Sequence, residues 1–292
     1  MNFNIEIPSN KEELINLLGK YKNKNYRIGA GCTDLIMELK KKCSEPLTVI
    51  NISQINDGDF NNINTQKSSI IIGANTSVFK ICNNNEILKN YPVLNISAQN
   101  LASNQIRQVA TVGGNLCTAS PSGDLICALM ALKAELEIIN SNAEKRKISI
   151  LDFYKGVRKT DLQSGEFLSS ITILPNNIET NKLHSGFIKI GTRKSMECSV
   201  VSLAYHIQID KNNKIIEVGI AFGASAPTVK FAQKASEFLI DRNIAQISET
   251  DIEKFAKLVL EYASPIDDLR ATAWYRKQVL FNISKSILED IQ

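Results

Sequence analysis

Two glycine-bearing stretches carry the residue types best suited to chemistry. Ala110-Thr111-Val112-Gly113-Gly114-Asn115 runs into Ala119-Ser120-Pro121-Ser122-Gly123-Asp124, and Gly29-Ala30-Gly31-Cys32-Thr33-Asp34 lies near the N-terminus. Glycines make poor core material; they open backbone conformations closed to other residues and let a ligand approach the main chain. Thr111, Asn115 and Ser120 add hydrogen-bonding groups, and successive free N–H groups in such loops can form an anion-binding nest. The pattern suits a diphosphate held between two loops. The plainer reading is a tight turn in a globular domain.

A Rossmann fingerprint fails on its own terms. Gly29-x-Gly31 follows an extended stretch, but the last glycine of that motif would fall on Asp34. The acidic residue expected at the end of the next strand is replaced by Asn51. Metal chemistry has little to work with. The six cysteines (Cys32, Cys43, Cys82, Cys117, Cys127, Cys198) form no Cys-x-x-Cys pair, and His184 and His206 are the only histidines. Free, mostly buried thiols in a reducing compartment are expected.

The 292 residues suffice for two domains. A net charge of +4 without a basic, aromatic-laced tract gives no sign of nucleic acid. No signal-peptide layout and no apolar run of membrane length is present, so the cytoplasm is the default expectation.

The elements that must position the loops follow from pattern. Ile5 to Pro8, Tyr26 to Ile28 and Leu47 to Ile52 read as strands, with helices over Lys11 to Gly19 (Ser9 as cap) and from Leu35 to the Lys40-Lys41-Lys42 end. The first 55 residues thus form a β-α-β-α-β unit. Asn56 to Lys67 is turn-rich and marks a subdomain boundary. Beyond it come a strand at Ser69 to Ala74, a helix capped by Thr76 or Ser77, and another started by Pro92. Asp124 stands at the N-cap of an apolar helix through Leu132, and strands follow at Glu135 to Ile139, Lys147 to Ile150 and Phe167 to Leu174. From Lys182 the pattern changes to long strands (Phe187 to Arg193, Val200 to Ile209, Ile215 to Phe222), then helices near 231–243, 250–262 and 273–288. The fold class is α+β, with a separate antiparallel sheet layered with helices at the C-terminal end.

Taken together, four segments resemble the FAD-binding subunit of the xanthine dehydrogenase and carbon monoxide dehydrogenase family of molybdenum hydroxylases. They are Ala30-Gly31-Cys32-Thr33-Asp34, Ile72-Gly73-Ala74-x-Thr76, Gln105-Ile106-Arg107 through Asn115 with Ala119-Ser120-Pro121 to Asp124, and Phe222-Gly223-x-x-Ala226-Pro227-Thr228. The resemblance implies a two-subdomain FAD-binding fold of the vanillyl-alcohol-oxidase (PCMH) type over 1–178, divided near 55, and a CO-dehydrogenase-flavoprotein-like domain over 182–292. It implies FAD held by Arg27, Ile28, Gly29, Ala30, Gly31, Cys32, Thr33 and Asp34, by Ala110, Thr111, Val112, Gly113, Gly114 and Asn115, and by Ser120 and Asp124, with Leu168 and Lys189 close by. Lys189 has the alternative of a solvated strand lysine.

The same resemblance implies an electron-transfer subunit of an oxidoreductase complex, with no catalytic side chain of its own. Its partners would be a large subunit carrying the molybdenum cofactor and a small subunit carrying [2Fe-2S] clusters, and NAD+ would be the acceptor. A self-contained flavin reductase or oxidase, and a scaffold that has lost FAD, are the alternatives. Two departures stand out. Cys32 replaces a glycine, so φ must be negative there or the backbone strained. Ser195-Met196-Glu197-Cys198-Ser199 stands where relatives often have Asp-Ile-Ala or Asp-Ile-Ser, so Glu197 keeps the charge with a longer reach.

Overall fold

Strands Asn4–Glu6, Tyr26–Gly29 and Thr48–Asn51 pair in parallel, with Thr48–Asn51 in the middle. Parallel neighbours need crossovers, and helices Lys11–Tyr21 and Leu35–Lys41 supply them. The β-α-β-α-β unit is as expected; its cap is not. The Asn10 side chain accepts from the Glu13 N–H at 2.9 Å, while the Ser9 N–H donates to the Glu13 carboxylate at 2.7 Å. The molecule is a computed structural model and describes residues 2–41, 46–66, 69–177, 180–193 and 196–291. Lys42, Cys43, Lys67 and Ser195 lie outside the described residues.

The second unit is a five-stranded antiparallel sheet in the order Ile63–Gln66, Ser69–Gly73, Glu166–Ile173, Glu135–Asn140, Lys145–Ser149. The stretch from Asn56, read as turn-rich, contains the Gly58–Asn61 helix and the Ile63–Gln66 edge strand. Its polar residues suit an edge, where one side of the ladder faces solvent.

The third sheet, Lys182–Ile190, Val201–Ile209, Ile215–Gly223 and Lys230–Phe231, is antiparallel throughout. Its first strand begins earlier than the pattern indicated and ends at Ile190, short of Arg193. Helices Gln233–Leu239, Glu249–Leu260 and Ala273–Glu289 complete this unit. Ser248 and Asp251 close a capping box before the second of them.

One helix joins the units. All eight residues of Asp124–Ala131 are buried. Such a helix, apolar on every side, belongs inside a core. It packs against the third sheet: a Cβ on Gly219 would run into the Ala131 carbonyl, and the Cys127 thiol donates to the Ala221 carbonyl at 3.3 Å. Phe187, Ala204 and Ala221 of the third sheet, and Val229 just before its last strand, accordingly join the main core with Leu125, Leu129 and Ile138.

Candidate functional site: two glycine loops in contact

The segments singled out in the sequence meet in space. Gly31 lies against the Val109–Ala110 backbone so closely that a Cβ on it would run into the Val109 carbonyl. The Val112 and Gly113 N–H groups donate to the Thr76 and Ala74 carbonyls at 3.0 and 2.8 Å, and the Val78 N–H donates to Ala110 at 2.9 Å. The Ala224 N–H donates to the Pro121 carbonyl at 2.7 Å, and Gly223 packs over that same oxygen. Stretches nearly 200 residues apart in sequence therefore share one junction.

Residues 110–115 are not the open loop their glycines indicate. Val112–Thr118 is a helix whose N-cap, Thr111, accepts the Gly114 N–H at 3.0 Å. A further helix, Asn104–Val109, precedes it, capped by Ser103. Glycine is a poor helix former, but Gly113 is required by packing: an added Cβ would lie 2.6 Å from the Ala74 carbonyl. At Gly114 an added Cβ would lie 2.9 Å from the Thr111 hydroxyl. Arg107 turns inward, and its guanidinium donates to the Gln99, Leu101 and Ala102 carbonyls at the end of the Pro92–Gln99 helix.

This changes where donors for an anion lie. The first-turn N–H groups at Val112, Gly113 and Gly114 are already used within the protein. In contrast, the N–H groups of Gly31, Cys32, Thr33 and Asp34 donate to no acceptor among the described residues. The second segment instead offers the Asn115 Oδ1 atom, buried with no hydrogen-bond partner among the described residues. A buried polar atom of this kind calls for an explanation.

Cys32 takes the strained option. Its φ is +56°, in the left-handed region where an L-residue costs about 1–2 kcal/mol. Its thiol donates to the Ala30 carbonyl at 3.6 Å, and burial raises its pKa, so it is no ready nucleophile. Arg27 and Asp34 are exposed, and Ile28 and Ala30 half-buried. Cys82 and Cys117 are half-buried, Cys127 buried and Cys198 exposed.

Asp124 and Lys189 meet as a buried ion pair, Oδ2 to Nζ, at 2.6 Å. Asp124 is thus not a cap: Gly123 occupies the N-cap position and the carboxylate turns to its counter-charge. The Ser199 hydroxyl donates to the other oxygen at 3.0 Å, and Lys189 donates also to the Asn100 carbonyl at 3.0 Å. Burial raises the Asp124 pKa, and the neighbouring ammonium opposes that rise. With its side chain only 9% exposed, Lys189 is not a solvated strand lysine. Leu168 is a core residue beside a bulge of its strand. Ser120 holds its own turn, accepting from the Ser122 N–H at 3.3 Å. Glu197 folds over Gly191 and accepts from the Arg193 N–H at 2.6 Å.

Sequence reasoning missed Asn100 and Ser199, whose roles rest on a pairing across 65 residues of chain. It also missed the Tyr154–Thr160 hairpin. There the Arg158 N–H donates to the Ala119 carbonyl at 3.1 Å, while its guanidinium pairs with Glu38 on the helix following the first glycine loop. Among the described residues no cluster of three or more His, Cys, Asp or Glu gathers to hold a metal, and no helix is long and apolar enough to cross a membrane.

A glycine loop and a glycine-bearing helix thus meet at the junction of a small parallel unit, an antiparallel sheet and a third α+β layer. The chain belongs to the family described as "FAD binding domain in molybdopterin dehydrogenase", whose model matches residues 1–176; "CO dehydrogenase flavoprotein C-terminal domain" matches 187–291. It is 25% identical over 269 residues to the glyceraldehyde dehydrogenase medium chain of Sulfolobus acidocaldarius, covering 92% of each chain. It is 26% identical to the nicotinate dehydrogenase FAD-subunit of Eubacterium barkeri, covering 99% of this chain and 96% of that one. Reconstituted CO dehydrogenase from Oligotropha carboxidovorans contains a chain of the same fold, with TM-score 0.90, 22% identity and coverage of 99% and 97%.

Proposed function

We propose that the chain binds one FAD at the junction of its glycine loops and relays electrons within a molybdenum hydroxylase complex. The observation that carries this reading is the contact of Gly31 with Val109–Ala110, which brings the unpaired N–H groups of Gly31 to Asp34 beside the helix bearing the partnerless Asn115 oxygen. Those groups suit a ligand that combines phosphate oxygens with hydrogen-bonding ring or ribityl groups. Bound FAD supplies two-electron and one-electron redox chemistry that no side chain here provides.

In this reading the first loop holds the diphosphate, and Thr111 and Asn115 orient what lies beyond it. The Asp124–Lys189 pair fixes the wall on the side of the third sheet, with Leu168 and Ser120 in supporting positions. The domain division we propose is 1–178 and 182–292. Its partners are a subunit with the molybdenum cofactor and one with [2Fe-2S] clusters, the acceptor is NAD+, and the complex works in the cytoplasm. The names of the relatives, a medium chain and an FAD-subunit of dehydrogenases, support this assignment.

The test is a visible spectrum of the purified chain, followed by acid release and identification of the chromophore. Stoichiometric FAD is the expected result. FMN, or no flavin after incubation with excess FAD, overturns the reading and favours the scaffold alternative, for which the strained Cys32 in the first loop is the one supporting observation. Co-purification with metal-bearing subunits separates the relay from a self-contained reductase. Anaerobic reduction of the bound flavin by NADH tests the acceptor.

A further inference from the structure

The hairpin formed by Tyr154–Gly156 and Lys159–Thr160 has a location its sequence does not explain. Its turn touches the second glycine segment and the helix that follows the first. The Arg158 N–H donates to Ala119, which ends the Val112–Thr118 helix, and the Arg158 guanidinium pairs with Glu38, one turn beyond the first glycine loop. The hairpin therefore straddles the junction.

At its base stands Tyr154. The ring packs edge-on against Phe153 at 5.3 Å and borders the main core, within electrostatic reach of Cys117 on the Val112–Thr118 helix. Its hydroxyl is buried and has no hydrogen-bond partner among the described residues. The Asn115 oxygen is in the same condition. Phenolic hydroxyls in protein interiors nearly always find a partner, because desolvating one without a partner is costly. A phenylalanine would fill the ring's place without that cost, so the hydroxyl calls for a role outside the apo fold. Burial pushes the phenol well above its usual range, so it stays protonated and able to donate.

We infer that Tyr154 is a further FAD-positioning residue, whose hydroxyl is completed by a hydrogen bond to the bound cofactor across the cleft between the two glycine segments. This rests on the FAD-binding reading above and adds to it a residue that none of the glycine motifs contains. Tyr154 is a positioning residue only: it transfers no proton and no electron.

The test is Tyr154→Phe in the full chain, compared with the parent in two measurements. The first is the Kd for FAD, read by quenching of flavin fluorescence during titration of the apoprotein. The second is the melting temperature of both apoproteins. We expect about a three- to tenfold rise in Kd, the effect of one lost hydrogen bond. We also expect an apo melting temperature equal to or above the parent's, because the variant deletes an unsatisfied polar atom. A purely structural hydroxyl gives the opposite pair: unchanged Kd and a lower apo melting temperature. An unchanged Kd in Tyr154→Phe with normal FAD binding by the parent overturns this inference alone. A parent that binds no FAD overturns the functional reading and this inference with it.

Discussion

The Lys189 ammonium stands 2.6 Å from the Asp124 carboxylate, and both side chains are more than nine-tenths buried. One member begins the wholly buried helix that packs on the third sheet; the other lies on the first strand of that sheet. The pair thus fastens the glycine-loop region to the C-terminal layer. Removing one partner strands a buried charge, which costs about 3–5 kcal/mol. Asp124→Asn should destabilise the chain on that scale in urea unfolding, with loss of retained flavin. A change below about 1 kcal/mol would mean the pair is solvated in solution.

Cys32 offers a change in the other direction. Its φ of +56° suits glycine, so Cys32→Gly relieves strain at the cost of a more flexible unfolded chain. The expected net gain is about 0.5–1 kcal/mol, with FAD binding equal or tighter. A loss of stability would show that the thiol's contact with the Ala30 carbonyl outweighs the strain.

The two central glycines should fail differently. Gly113→Ala forces a Cβ onto the Ala74 carbonyl, so the fold itself should lose stability. Gly114→Val crowds the Thr111 cap and the cleft beside it, so flavin retention should be abolished while most of the fold survives. Circular dichroism and flavin content, measured on both variants, separate the two effects. Full flavin in Gly114→Val would show that the cofactor does not approach this helix.

His206 makes a prediction about pH. It is buried beneath the 173–177 segment, between the Ser185 hydroxyl at 3.0 Å and the Asn176 side chain at 3.1 Å. Burial, aided by the Lys133 charge, lowers its pKa to about 4. The unfolded chain takes up a proton near pH 6.5 that the folded chain refuses until about 4, so stability falls as pH drops across that window. The loss attributable to this residue is about 3 kcal/mol. His206→Gln should flatten the corresponding part of the stability profile between pH 6.5 and 4. An unchanged slope would put the titration elsewhere.

The β-α-β-α-β unit and the long C-terminal strands were legible because their periodicity is local. The helix at Val112–Thr118 was not, because two glycines hide the helical pattern and the reason for them, the Ala74 backbone, lies in another element. Asp124 and Lys189 were found separately through family motifs, but nothing in either segment announces that they pair. Tyr154 was invisible for a related reason: its ring reads as core, and only the surroundings of its hydroxyl single it out.

The wholly buried Asp124–Ala131 helix has a consequence for anyone who would divide the chain. Two family models meet between residues 176 and 187, which invites a cut there. Yet that helix is sequestered by strands from beyond the cut, so each fragment would expose half of a single apolar seam. Such halves should aggregate when made alone and recombine when made together, as a split protein does. Two family models thus cover one shared core.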